Sequence, residues 1–407
     1  MGTDVNGLTV ARALASHGIP VLGVDSRRRL YTGYSRAFSL LLCPDFRKAA
    51  GFTAFLDDLA EALPRKAALF LTMDEHVTFL ATEAGRAARE RYLMEFPEPD
   101  TVDLLMNKRR FTELARERGW PVPQSLFCLS VEELRAQAGE LVFPVILKPW
   151  VKNRDFRAQS PAKAFRCATA DELLARYALM AQWEPEAIVQ QWIPGGDDEI
   201  RFSFHYLDAA LRELASFEGR KIRQWVPECG STSSAVGVPE PRVRDLSREI
   251  LRAAGCIGLG SVEYKRDPRT DRFYIMEPTV GRTNLQIGVA IANGVDLVSR
   301  AYFHLIGQPY PGVESPTWNR KWILLGSDLR SAAYWVRRGE LTWPGYLRSL
   351  RGSKRFAVWR PTEYRMFGGL ALDWAGKPFR VLRRAWRRVA RVLPRVAPRS
   401  TTAGDSN

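Results

Sequence analysis

Between residues 260 and 284 the chain reads GSVEYKRDPRTDRFYIMEPTVGRTN, and in it two alternating runs, SVEYKR and RFYIME, flank the turn-forming DPRTD. An antiparallel hairpin folded near Arg269–Thr270 sets Glu263 opposite either Met276 or Glu277. In the second register both carboxylates point to one face. Like charges directly opposite each other on a sheet are destabilising unless something sits between them, and a divalent cation is the obvious candidate.

The remaining sequence frames that hairpin. At 407 residues the chain predicts two or three domains rather than one core. Hydrophobic residues at 46% and charged residues at 26% describe an ordinary globular protein, not a disordered one. The apolar runs FSLLLC and LVFPVIL are strand-sized, far below a membrane span. The first residues, MGTDVNGLTVARAL, lack the basic-then-apolar order of a signal peptide. Five scattered cysteines without a CxxC predict a reducing compartment and no zinc site. A cytoplasmic protein is expected, with peripheral contact at the inner membrane face as an option.

The net charge of +15 is concentrated at the C-terminus, where residues 377–399 carry nine basic residues and no acidic one. Leu382, Trp386, Val389 and Leu393 recur there at helical spacing, with arginines on the other face. This predicts a basic amphipathic helix over 377–395, packed on its own domain or lying on an anionic membrane. Nucleic acid is the least favoured partner.

Along the chain, GTDVNGLTVARALASHGIPVLGVDS reads as a glycine turn, a helix over Leu8–Ser16 and a buried strand. It is the second half of a β-α-β unit whose first strand would precede Gly2. AALFLTMDEH predicts another buried strand, so residues 1–98 form a small α/β domain with a parallel sheet. The turn GTDVNG is not GxGxxG, and a tight turn without phosphate is favoured. MNKRRFTELARERG predicts a helix ended by Gly119, LVFPVILKPW a strand ending on Lys148, and DELLARYALMAQW a helix. AIVQQWIPGGDDEIRFSFHYL reads as strand, Gly-Gly turn and alternating strand, and LRELASFEGRKIRQW as a further arm. A helix over 241–254 leads into the glutamate hairpin. After residue 306 the Trp- and Arg-rich segments predict helices. No Ser/His/Asp or Cys nucleophile constellation is read.

The ordered set NK, LKP, QQWIPGGDDE, GRKIRQW and VEYKRD…MEPTVGR resembles the ATP-grasp superfamily, nearest to carboxylate–amine ligases of the D-aspartate-ligase type. The resemblance covers residues 6 to about 305. It implies an α/β (α+β) ATP-grasp fold with a truncated N-terminal parallel-sheet domain over 1–98. An ATP-grasp domain of two subdomains over 99–306 and a helical C-terminal extension over 307–407 follow. ATP and Mg2+ (or Mn2+) are the implied cofactors, and a small carboxylate and an amine the implied substrates.

Carried over residue by residue, the resemblance makes Lys108 and Lys148 the phosphate-contacting lysines. Gln190, Gln191 and Ile193 then form the adenine-facing hinge, and Asp198 or Glu199 holds the ribose. Glu263 and Glu277 match the magnesium carboxylates. Thr279 stands where the family usually has asparagine, a departure that bears on the geometry of a second metal. Arg282 matches an arginine that stabilises the transferring phosphoryl group, and Asn284 is a further polar ligand. Lys221 and Arg223, on one face by strand alternation, match basic residues on phosphate or carboxylate. The phosphate-covering loop is expected within 151–162, with Lys152, Arg154 or Lys163 in place of glycine amides. The implied reaction is amide-type bond formation through an acyl phosphate. A non-catalytic nucleotide-binding protein beside a membrane-associated envelope-polymer system is the alternative.

Overall fold

The structure, a computed structural model, describes residues 1–149 and 164–363 except 28, 29, 47, 183 and 314, together with residue 366. The expected covering loop at 151–162, with Lys152, Arg154 and Lys163, and the basic helix at 377–395 lie outside the described residues.

The N-terminal region opens on the helix Val5–Ala15, which begins where the Asp4 carboxylate accepts the backbone N–H groups of Asn6 and Gly7. That carboxylate occupies the donors a phosphate would need, so the turn is a cap. Strands β1 (Leu22–Asp25) and β2 (Ser39–Leu42) pair in parallel. The strand expected over AALFLTMDEH is reduced to a single parallel bridge, Ala68 to Leu93, and a helix, Asp74–Leu80, already begins inside that segment. Met1 and Gly2 lie between the two halves: the Gly2 N–H donates to Val24 O and the Met1 amine to Phe70 O. They satisfy backbone groups a first strand would have paired.

The middle of the chain builds a four-stranded sheet from β3 (Ser125–Cys128), β4 (Val145–Pro149), β5 (Phe165–Cys167) and β6 (Ala187–Gln191), in the order β3-β6-β4-β5 and antiparallel throughout. Helices Val131–Gln137 and Ala170–Met180 cover it around Leu134, Leu173 and Tyr177.

The larger sheet has seven strands: β7 (Ile200–Leu207), β8 (Glu213–Trp225), β9 (Ser231–Gly237), β10 (Gly258–Asp267), β11 (Arg272–Val280), β12 (Lys321–Ile323) and β13 (Lys354–Phe356). Their order is β11-β10-β7-β8-β9-β12-β13. One face packs on the helix Pro241–Ala253. The other carries Phe202, Phe204, Tyr206 and Phe217 against helices Val5–Ala15, Ile287–Ala292 and Leu297–Leu305. Both faces are largely buried, yet β7 alternates as expected, with Phe202, Phe204 and Tyr206 on one face and Arg201, Ser203 and His205 on the other.

The C-terminal segment is only partly helical. The helix Leu325–Arg337 falls in a segment expected to be helical, the helix Trp343–Ser349 was not expected, and β12 and β13 extend the large sheet. Three-residue strands are too short for an alternation pattern to show.

A buried histidine makes the N-terminal core sensitive to acid. His76, 6% exposed, packs between Phe46 and Phe52, and its Nδ1 has no hydrogen-bond partner among the described residues. Burial holds its pKa down at about 3. The unfolded chain takes up the proton near pH 6.5 and the folded one resists it. This contribution is therefore complete above pH 6.5 and falls as the pH drops toward 3. Urea unfolding at pH 7 and pH 5 should show an acid loss about 2 kcal/mol smaller in His76→Phe than in the parent. Equal losses would place the sensitivity elsewhere.

Candidate functional site

The glutamate hairpin adopts the register that opposes the two carboxylates: Glu263 on β10 pairs with Glu277 on β11, and Ser261 with Thr279. A bulge follows Glu263. The two glutamates differ in their surroundings. Glu263 Oε2 lies 2.9 Å from Lys221 Nζ and accepts from Gln286 Nε2 at 2.8 Å. Glu277 is exposed and has no hydrogen-bond partner among the described residues. The repulsion expected between opposed glutamates is relieved by a lysine from β8, which is 3% exposed and also donates to Gln224.

Glu277 lines a cleft of about 180 Å³ between the two sheets, together with Thr279, Lys108, Lys148 and Gln190. Lys108 is the first residue of the helix Lys108–Glu117, capped by the Asn107 side chain, which accepts from Arg109 N and Arg110 N. Lys148, on β4, donates to Gln190 Oε1 at 3.0 Å, and Gln190 Nε2 donates to Ser125 Oγ. Met106, Ile188 and Met276 add apolar wall. Five residues chosen from four separate motifs thus meet in one concavity.

The hinge follows β6. The Gln191 N–H donates to Gln124 O and the Trp192 N–H to Pro144 O, while Ile193 is buried. Gln191 faces a second cavity of about 390 Å³, shared with Trp192, Asp197 and Lys265. The turn that closes the hinge needs Gly195 at φ +100°, a conformation other residues adopt only with strain. Lys265 Nζ binds the carbonyls of Gly195 and Gly196, at 2.8 and 2.5 Å, and fixes that turn.

Of the two acidic residues left open for the ribose, Glu199 is committed to Arg266. Its carboxylate accepts at 2.7 and 3.1 Å, and that guanidinium pulls its pKa down. Asp198 is exposed, whereas neighbouring Asp197 is buried and accepts from Gln224 and Glu228.

Three basic residues part company. Lys221 reaches Glu263. Arg223 does not join it: a bulge interrupts β8 between them, and the guanidinium is held by both oxygens of Asp328 at 2.9 and 2.8 Å and by Ser349. Arg282 pairs with Asp74 at 2.5 Å, and Asp74 lines the same cleft. The loop bearing Arg282 is pinned by Asn6, whose Nδ2 donates to the carbonyls of Thr72 and Thr283. Asn284 donates to Ser261 and accepts from Gln286 N, which orients Gln286 toward Glu263.

Gln286, Lys265 and Asn6 went unselected in the sequence, since each acts through a partner distant in the chain. So did a Ser–His–Glu arrangement: Ser203 Oγ lies 2.8 Å from His205 Nε2, and His205 Nδ1 2.6 Å from Glu213 Oε2. Ser203 and His205 have no exposed surface, so no substrate can reach them. Burial pushes the pKa of His205 down although Glu213 opposes it, and the hydrogen bond to His205 helps hold Glu213 down at about 2.

Magnesium takes oxygen ligands and relies on one or two carboxylates with substrate phosphates rather than a dedicated protein cage. The donors here fit that: two opposed carboxylates and a threonine hydroxyl. Among the described residues no cluster of three or more His, Cys, Asp or Glu forms a metal cage.

No protein-family model matches the chain. Sequence relatives are informative. A D-aspartate ligase of Enterococcus faecium is 23% identical over 310 residues, 73% of each chain. The C-terminal section of the carbamoyl phosphate synthase large chain of Methanopyrus kandleri is 27% identical over 233 residues, 53% of this chain and 40% of that section. The chain therefore spans less than half the length of that relative. Among solved structures, a biotin carboxylase from Campylobacter jejuni in complex with β,γ-ATP superposes with a TM-score of 0.60 at 16% identity, covering 79% of this chain and 73% of that one. In fold and in sequence, then, the chain is similar to ATP-grasp carboxylate–amine ligases.

Proposed function

We propose that the protein is an ATP-dependent carboxylate–amine ligase. The observation that carries this reading is the convergence of Lys108, Lys148, Gln190, Glu277 and Thr279 on one cleft, with Glu263 in register beside Glu277. In this reading residues 99–306 grip the nucleotide, between an N-terminal domain over 1–98 and a C-terminal extension over 307–407.

Lys108 and Lys148 hold phosphate oxygens, and Gln190 and the hinge at Gln191 and Ile193 receive the base. Asp198 is the exposed carboxylate for the ribose. Glu263, Glu277 and Thr279 hold magnesium, which neutralises phosphate charge when bound. A substrate carboxylate oxygen attacks the γ-phosphorus and ADP leaves, giving an acyl phosphate. The amine then attacks the acyl carbon, phosphate departs, and the amine loses a proton as the amide-type bond forms. Lys221, beside Glu263, and Arg282, at the cleft rim, stabilise charge on the transferring group. Arg223 has no part in this, being spent on Asp328.

Calorimetric titration with ATP, with and without magnesium, tests the reading. Wild-type protein should bind ATP in a magnesium-dependent manner. A Glu263→Ala/Glu277→Ala variant should bind about 100-fold more weakly or not at all, since losing even the outer partners of a metal ligand costs 10–100-fold. Folded wild-type protein that binds no ATP would remove the proposal.

A further inference from the structure

Far from the cleft, a cavity of about 120 Å³ lies between the C-terminal half of the helix Val5–Ala15, the helix Ile287–Ala292 and the strands β12 and β13. Among the described residues its lining includes Arg12, Arg355 and Arg360 and no Asp or Glu. Arg12 is satisfied: it pairs with Glu363 at 2.5 Å and donates to the carbonyls of Ala357 and Val358. Among the described residues, Arg355 and Arg360 have no side-chain hydrogen bond or ion pair. Arg360, half-buried, is pulled down to about 10 by burial and then by Arg12 and Arg355. Arg355, exposed along part of its side chain, is lowered by the burial of its guanidinium and by Arg320 and Arg12, against Asp296. The floor is Trp322, 1% exposed, whose indole N–H has no partner among the described residues. Gly288 makes room for it, since a Cβ there would come within 2.4 Å of the indole nitrogen.

Glu363 is spent on Arg12, and Asp296 acts on Arg355 only through space, so folding does not by itself favour setting these two guanidiniums beside a third. The arrangement offers two free arginine forks in a pocket the size of one compact anion, and arginine forks match the oxygens of phosphate. We propose that this pocket is a phosphate-binding site, separate from the nucleotide cleft, held by Arg355 and Arg360. Its ligand is a phosphate or phosphomonoester group, free in solution or borne on a lipid headgroup. The inference does not rest on the ligase reading.

The experiment uses the full chain in a phosphate-free buffer. Inorganic phosphate is titrated against the tryptophan fluorescence and the thermal midpoint, and co-sedimentation is measured with phosphatidylcholine vesicles with and without phosphatidic acid. Parent protein should show saturable phosphate binding and a midpoint that rises with phosphate. Arg355→Ser/Arg360→Ser should weaken binding at least about 10-fold. Its midpoint without phosphate should be no lower than the parent's, because repulsion is relieved. Lys148→Met, altered in the nucleotide cleft, should keep the phosphate response. Binding to phosphatidic acid vesicles alone, lost in the double variant, assigns the group to a lipid. Absence of both responses in the parent, or equal binding by the double variant, overturns the site. Loss of the response in Lys148→Met would overturn it too, by placing the phosphate in the cleft.

Discussion

Replacing Asp328 with alanine is expected to cost about 3–5 kcal/mol of unfolding free energy, the usual penalty for breaking a buried ion pair from one side. Asp328 has no exposed surface and receives both nitrogens of Arg223, together with the hydroxyls of Ser233 and Ser234. Among the described residues, alanine leaves the guanidinium buried against the ring of Tyr346 with only Ser349 for a partner. The change would loosen the helix Leu325–Arg337 from β8 and β9, the strands it packs on. The urea midpoint measures it directly. An Arg223→Met/Asp328→Leu pair should recover most of the loss, because well-packed apolar replacement of a buried pair is often neutral or better. If Asp328→Ala unfolds no more readily than its parent, the pair is not the clamp described here. Arg223→Met/Asp328→Leu that folds yet loses ligase turnover would return Arg223 to the chemistry.

The second large effect concerns Lys221. Its ammonium lies about equally near both Glu263 oxygens, at 3.0 and 2.9 Å, in a slot with almost no exposure. On the proposed function, phosphate oxygens and magnesium compete for the same two groups, so Lys221 moves from neutralising a carboxylate to neutralising the nucleotide. Lys221→Met is expected to lower kcat/KM for ATP by about 10²–10³-fold, the scale for removing one preorganised donor to developing charge. Stability should change less than in Asp328→Ala, because Glu263 keeps Gln286 and partial contact with water. Lys221→Arg should not restore activity, since a planar fork is not a compact point charge and the slot is full. A rise in KM with kcat intact would assign Lys221 to uniform binding rather than to the transferring group. Activity per folded molecule that survives Lys221→Met would make the lysine structural.

Much of the site was legible because its residues sit in short elements with strong local patterns. Alternation in SVEYKR and RFYIME defines two strands, and the DPRTD turn brings their glutamates together. Lys148 ends a buried strand, and Asn107 announces the helix that Lys108 begins. The parity of Lys221 and Arg223 misled, because a bulge in β8 breaks the alternation that placed them together. The strand expected at AALFLT failed for a different reason. An apolar run says that a segment is buried, not that neighbours on both sides complete a ladder.

The amino-acid sequence by itself determined the hairpin, its turn, most helices and the order of the motifs that supply the cleft, since these depend on contacts within a few residues or on side-chain periodicity. The tertiary structure decided which charges meet. Lys221 finds Glu263 forty-two positions away, Arg223 finds Asp328 at one hundred and five, and Asn6 holds the carbonyl of Thr283 at two hundred and seventy-seven. It left Arg355 and Arg360 facing a cavity without an acid. A charged side chain carries no address for its partner. Only packing of the two sheets and the helices around them sets which charges lie within the few ångströms over which a hydrogen bond or ion pair acts.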